Sequence, residues 1–287
     1  MEEKIIEQKD SEYPNLLKEI SDAPEQLYIK GDFLPDEKCF AVVGTRLCSN
    51  YGKQAALEIA GQLADAGLTI VSGLAPGIDT WAHRAAVEKR KRTISVLGTG
   101  LDEKSIYPKE NIKLTHQILE LGGALVSEYE SGTPGSKFTF PERNRIISGL
   151  SLGVLIVEAK QRSGSLITAN LALKQGRKLF AVPGSIYSSN SKGTNLAIKQ
   201  LGAKLVESAD DILGELGIAT HKKEDQLVGD SDEETLILES LKEDALHIDV
   251  IIEETSLSTA TISGTLTILE IKGKVRNLGG NIFALQK

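Results

Sequence analysis

The chain has 287 residues, 40% of them hydrophobic and 25% charged, with a formal net charge of −7. That length and balance describe a soluble globular protein with one large domain and room for a small one, and they exclude a surface coated in positive charge. Any nucleic-acid groove on such a body must be built from a few well-placed cations.

The first ten residues are charged rather than apolar, which argues against a signal peptide. No run reaches the roughly 18 apolar residues that span a bilayer. The two cysteines, Cys39 and Cys48, offer neither a disulfide framework nor metal-ligand spacing. A cytoplasmic protein is expected, with no membrane partner, no metal and no cofactor.

Residues 1–37 read as a lead-in segment. Positions 11–37 hold three of the eight prolines and one short amphipathic piece, so this segment is expected to pack on the main domain without a core of its own. From 38 to 218 one grammar repeats: a short apolar strand, a Gly-rich or polar turn, an amphipathic helix. The first strand is expected over 40–43, followed by Gly44-Thr45-Arg46 and a helix over 51–66. The second, 68–71, leads into SGLAPGID (72–79) and a helix to 89. The third, 93–97, leads into GTGLD (98–102) and a helix that Pro108 can begin. The fourth is 124–126, followed by Ser127-Glu128. The fifth, 153–157, follows an apolar helix entered through FPERNR (140–145), and the turn Ser163-Gly164-Ser165 opens the next helix. The sixth, 178–182, ends at Pro183-Gly184-Ser185. A weaker seventh, 203–206, precedes a last helix over 209–216.

Strands alternating with helices predict an α/β fold, a mostly parallel open sheet covered on both faces. Ligands of such sheets bind outside the carboxyl ends of the strands. Five of those ends carry small or polar residues (Gly44, Ser72, Gly98, Ser127 and the Pro183 turn), which describes a long open crevice. Residues 219–231 turn polar and unpatterned and read as a linker. Residues 232–287 read as three helices (232–241, 248–254, 259–270) and a hairpin of 274–278 and 281–285 turning at Gly279-Gly280, which together make a winged helix. Five Lys/Arg against ten Asp/Glu leave that domain at −5. Phosphate contacts need cations, so it is expected to contact protein more readily than DNA.

Several residues carry candidate chemistry. Arg46 follows the first strand directly, where Gly44 and Thr45 let the backbone approach an anion; the competing role is an ion pair with an acid such as Glu128. Arg143 and Arg145 flank Asn144, and helical spacing is expected to leave at least one of the arginines structural. Phe140 suits base stacking, and its polar neighbours Lys137, Thr139 and Glu142 favour a loop position over core packing. The amides of Ser163, Gly164 and Ser165 at a helix start suit an anion. The run Lys89-Arg90-Lys91-Arg92 reads as a solvated helix end. Asp79 and His83 fit a capping carboxylate and a packed imidazole better than a catalytic pair, and Glu128 fits a loop hydrogen bond better than a general base. No dinucleotide fingerprint and no Walker string occur.

Taken together, VVGTR with SNYG, SGLAPGIDTWAH, VLGTGLD with YP, SEY, FPERNRIISGLS, VEAKQRSGSLITA, and AVPGS with KGTN and GA resemble the DprA/Smf DNA-processing family. These motifs run in family order over roughly 60% of the chain, from about 38 to 207. The terminal winged helix looks like the family's accessory domain, whereas an N-terminal SAM-like domain of some members is expected to be absent. The resemblance implies a Rossmann-like fold and a non-enzymatic role, with no catalytic residue. It implies a protein that binds incoming single-stranded DNA during natural transformation, forms a homodimer through the Rossmann-like domain and helps load RecA recombinase. Carried onto this chain, Arg46 becomes the main phosphate contact, and Gly44, Thr45, Gly73 and Gly77 belong to the same site. Lys137 and Phe140 line the pocket, with Arg143, Asn144 and Arg145 beside them. Ser163, Gly164 and Ser165 cradle an anion, and Lys160 is a further cation. The acidic winged helix departs from a DNA-binding role. The alternative is a nucleoside-monophosphate-processing enzyme of the lysine-decarboxylase-like Rossmann group. Its PGGxGTxxE motif is missing, since Pro183-Gly184 leads to Ser185 and no Glu follows Gly193-Thr194 at the needed place.

Overall fold

In the computed structural model, which describes residues 2–219, 229–242 and 244–285, side chains alternate along each strand of one nine-stranded sheet. Its strands are β1 (Glu3–Glu7), β2 (Gln26–Gly31), β3 (Cys39–Val43), β4 (Thr69–Ser72), β5 (Thr93–Leu97), β6 (Ala124–Ser127), β7 (Gly153–Ile156), β8 (Lys178–Ala181) and β9 (Lys204–Leu205). Between them lie α1 (Asn15–Lys18), α2 (Asn50–Asp65), α3 (Ile78–Glu88), α4 (Ile112–Glu120), α5 (Thr139–Gly149), α6 (Gly164–Lys174), α7 (Lys192–Gln200) and α8 (Ala209–Leu216). Cys39, Ala41 and Val43 of β3 enter the core shared with α1, α5, α6 and α7. Phe40 and Val42 enter the opposite core, shared with α2, α3 and α8. Both faces are therefore covered, which explains why the central strands read as unbroken apolar runs.

The order across the sheet is β1-β2-β6-β5-β4-β3-β7-β8-β9, and β3 to β9 run parallel. From β3 the chain steps one way through β4, β5 and β6, then crosses back to β7 and steps the other way. At that seam α2 leaves β3 toward one face and α6 leaves β7 toward the other. Two loops that part in this way open a crevice at the carboxyl edge.

The N-terminal segment is more than a lead-in, because it extends the sheet. β2 pairs antiparallel with β6, from Tyr28↔Ser127 to Gly31↔Ala124, and β1 pairs with β2. Ile6, Tyr13, Leu17, Ile20, Leu27 and Ile29 are buried in the same core as α5. The segment is thus two strands of the sheet and shares its core, and the compact unit runs Met1–Thr220 rather than starting at 38. Leu27 and Ile29 do alternate with less buried neighbours. That pattern spans only six residues between Pro24 and Pro35, too short to separate from a loop by periodicity.

The second compact unit is His221–Lys287. It contains α9 (Asp232–Ser240), β10 (Leu246–His247), α10 (Ile248–Thr255), α11 (Thr259–Ile271), β11 (Val275–Gly279) and β12 (Ile282–Leu285). Ser231 and Ser258 cap α9 and α11 by accepting from the Glu234 and Thr261 N–H groups. Ile237, Ile251, Ile262, Leu266 and Phe283 form its core. The winged helix is as expected, with two refinements. The wing turns one residue later, at Gly280 and Asn281, both at positive φ, as a two-residue hairpin turn favours. A third strand, β10, pairs with β12 and is too short to carry a sequence pattern. Most of the expected linker, 219–231, lies outside the described residues. Among those described, no helix is long and apolar enough to cross a membrane.

Candidate nucleic-acid interface

β3 and β7 stay laddered past their ends. The Val157 N–H donates to the Val43 carbonyl at 3.1 Å, and the Thr45 N–H donates to the Glu158 carbonyl at 2.8 Å. The Glu158 side chain, 2% exposed, accepts the Ser49 N–H at 2.8 Å and the Ser49 hydroxyl at 2.6 Å. Ser49 in turn caps α2 by accepting from the Gly52 N–H. The loop from 44 to 49 is therefore clamped at both ends, and its exposed apex carries Arg46 and Leu47.

Three of the glycines expected in the DNA site, Gly44, Gly73 and Gly77, make room for neighbouring protein. A Cβ on Gly44 would lie 2.5 Å from the Ile78 side chain, and one on Gly77, whose φ is +81°, would collide with the Thr45 carbonyl. The Ile78 N–H donates to that same carbonyl at 3.2 Å. Both backbone polar groups of Thr45 are thus spent inside the fold. A Cβ on Gly73 would lie 2.5 Å from the Arg143 guanidinium, so this glycine makes room for an arginine. Gly44 and Thr45 still line the cavity described below, whereas Gly73 and Gly77 do not.

α5 places the FPERNR residues on different sides. Ser136 accepts from the N–H groups of Phe138 and Thr139, both at 3.1 Å, and so starts the helix. Pro141 sits in its first turn, where proline costs no hydrogen bond. Arg143 points inward, 4% exposed, and donates to the carbonyls of Gly73, at 2.7 Å, and Val96. Burial lowers its pKa to about 10, against the opposing pull of Asp79. Arg145 turns to the far side and pairs with Glu128 at 2.7 Å and Asp22 at 3.5 Å. Both arginines thus have structural partners; Arg143 also lines the cavity described below, whereas Arg145 does not. A buried guanidinium engaged by carbonyls, or one paired with two carboxylates, has little left for a phosphate. Glu128 is the partner of Arg145 rather than of Arg46. His83 is fully buried, with Nδ1 2.8 Å from Thr93 Oγ1, so neither it nor Glu128 lines the cavity.

The crevice at the β3/β7 seam is a cavity of about 550 Å³. Arg46, Lys137, Lys160 and Arg162 line it, all four are exposed, and none is ion-paired among the described residues. The one acid in its lining is Asp79, 6% exposed, which accepts from the Gly73 N–H at 3.1 Å. Burial pushes the Asp79 carboxyl above its ordinary range, with Arg143 pulling it down. Phe140 lies in the first turn of α5 rather than on the expected loop, and it stands in the wall with the Arg46 guanidinium 5.5 Å from its ring centroid. Asn144 lines the same wall. The 11-residue α6 starts at the rim. Ser163 Oγ accepts from the Ser165 N–H at 3.3 Å and lies 2.7 Å from Ser165 Oγ, so the two serines chiefly satisfy each other. A Cβ on Gly164 would touch nothing within 4 Å, leaving that helix start open. Among the described residues no cluster of His, Cys, Asp and Glu could hold a metal ion.

The structure thus gathers Gly44, Thr45, Arg46, Lys137, Phe140, Arg143, Asn144, Lys160, Ser163, Gly164 and Ser165 around one cavity. Sequence reasoning missed Arg162, whose position between Lys160 and the Ser163 turn was the available signal. It also missed the apolar rim residues Leu47 and Ile167, which are 77% and 44% exposed.

The family model described as DNA recombination-mediator protein A matches residues 4–217, and that of the DprA winged helix domain matches residues 221–281. The chain is 38% identical to protein Smf of Escherichia coli over 289 residues, covering 97% of this chain and 76% of that protein. It is 49% identical to the DNA processing protein DprA of Streptococcus pneumoniae over 205 residues, 71% of each. The X-ray structure of the latter superposes with a TM-score of 0.68 at 44% identity, covering 76% of this chain and 75% of that one. A Helicobacter pylori DNA processing protein A, solved for its single-stranded DNA binding mode, superposes with a TM-score of 0.66 at 33% identity, covering 75% of this chain and 95% of that one.

Proposed function

The chain belongs to the DNA recombination-mediator protein A (DprA/Smf) family, and from that premise we propose that the cavity at the β3/β7 seam binds single-stranded DNA. The observation that carries this reading is the concentration of four exposed, unpaired cations beside an aromatic ring and an open helix start, on a chain of net charge −7. Cations track a phosphate chain and a ring stacks on any base, so binding has little sequence preference. A crevice lined by cations suits one flexible strand. The protein acts by holding the strand rather than by turnover. It works in the cytoplasm, protects incoming single-stranded DNA during natural transformation, forms a homodimer through the Rossmann-like unit and passes the strand to RecA recombinase. Family membership supports these last roles.

Fluorescence anisotropy with labelled oligo-dT and a matching duplex tests the reading. Four phosphate contacts predict a log–log salt slope near −2.8, about a 50-fold loss of affinity between 50 and 200 mM salt. Arg46→Ala removes a charge-assisted contact and weakens binding about 10- to 150-fold. A wild-type protein that binds no single strand, or prefers duplex, refutes the proposal.

A further inference from the structure

We propose that Phe140 is a partition between two base-binding subsites, and that the cavity on its far side, walled by Tyr107, takes a neighbouring nucleobase of the bound strand. This rests on the single-strand reading above. Phe140 lines both the cavity at the β3/β7 seam and a second cavity of about 510 Å³. The second opens among the loops that follow β5 and β6, along the same carboxyl edge of the sheet, where adjacent strands are about 4.8 Å apart. A strand running along that edge leaves one cavity and enters the other.

The walls suit a base. Tyr107 is 47% exposed, and its ring centroid lies 5.7 Å from that of Phe140 at 47°. Ile106 and Pro134 complete an apolar lining, and Lys104 stands exposed among the lining residues. The partition is held in place, because a Cβ on Gly98 would lie 2.9 Å from the Phe140 ring and one on Gly135 would collide with it. Asp102, the one carboxylate in this lining, is occupied. It accepts the Gly132 N–H at 2.6 Å and the Ser105 N–H at 3.1 Å, tying the two loops together. Lys109 donates to the carbonyls of Glu103 and Lys104 at 2.9 and 2.6 Å and braces the same loop. An exposed phenol ring set against a second ring, with a cation nearby and no free carboxylate, recognises a flat base carrying a phosphate.

The test is anisotropy with an oligo-dT series from two to twelve nucleotides, on wild type and on Tyr107→Ala, Tyr107→Leu, Tyr107→Phe and Arg46→Ala. Wild-type affinity is expected to step up by about 5- to 150-fold at the length that reaches the second subsite. Tyr107→Ala and Tyr107→Leu abolish that step and keep the affinity of the shortest oligomer, while Tyr107→Phe keeps the step. Arg46→Ala lowers the whole series. Alanine and leucine variants that match wild type at every length overturn the proposal. So does an equal loss at every length from the leucine variant, which would make Tyr107 a support for Phe140. If wild type binds no oligomer, the single-strand reading itself fails and takes this inference with it.

Discussion

Arg143 separates scaffold from contact surface, and replacing it with methionine tests that assignment. The guanidinium is 4% exposed and donates to two carbonyls, those of Gly73 and Val96. Charge-assisted hydrogen bonds contribute about 1.5–3 kcal/mol each, so losing two costs about 3–6 kcal/mol. No longer burying a cation offsets part of this, leaving a net loss of about 2–4 kcal/mol. For a unit of this size that lowers Tm by about 5–15 °C. The deficit also depends on pH. Burial holds the Asp79 carboxyl above its ordinary range, and Arg143 pulls it down. A carboxyl raised in the folded state adds stability below its unfolded value, near 3.9, and loses it as pH rises through the folded value. Without Arg143 the folded value climbs further, so the deficit of R143M grows from pH 5 to pH 8. Urea unfolding at both pH values measures it. A loss below about 1 kcal/mol at pH 8, or an equal deficit at both, refutes the assignment. The salt dependence of DNA binding supplies a second readout. A buried guanidinium releases no counterion, so the folded variant keeps the wild-type slope; a slope shallower by about 0.7 would make Arg143 a phosphate contact.

Arg46→Ala is expected to do the opposite: stability unchanged within about 0.5 kcal/mol and a salt slope shallower by about 0.7, checked by thermal melting and by a salt titration of oligo-dT binding. Gly135→Val drives a branched side chain into the Phe140 ring and should weaken oligo-dT binding by about tenfold or more, as loss of one stacked base would; unchanged affinity would show the ring's position to be immaterial. Arg92 grips Glu37 through two bonds, at 2.7 and 2.9 Å, with the Glu37 side chain 8% exposed. Arg92→Met leaves that carboxylate buried without its cation and is expected to cost about 3–5 kcal/mol, read by urea denaturation; a cost below about 1 kcal/mol would return this residue to the solvated helix end that the sequence suggested.

Alternation of apolar strands with amphipathic helices was enough to determine a parallel sheet covered on both faces, a ligand edge at the strand ends, and a separate winged helix, because these follow from local periodicity and turn chemistry. Most of the cavity's lining was legible for the same reason. Arg46, Lys160 and the Ser163 turn each lie in a loop that leaves a strand end, and strand ends converge. What the chain did not show is where side chains spend their hydrogen bonds. Arg143, Asn144 and Arg145 are consecutive and look equally available. Helical rotation of about 100° per residue turns the first inward to two buried carbonyls beside the cavity, the second to the cavity wall and the third to Glu128. The partners of Arg143, Gly73 and Val96, lie 70 and 47 residues away. Gly44, Gly73 and Gly77 suggested room for a ligand, yet only the packing of α3 and of Arg143 shows what fills that room. The antiparallel strands β1 and β2 were hidden for a related reason. A six-residue alternation acquires meaning only when β6 offers a free edge to pair with, and that edge exists only once the parallel sheet has formed.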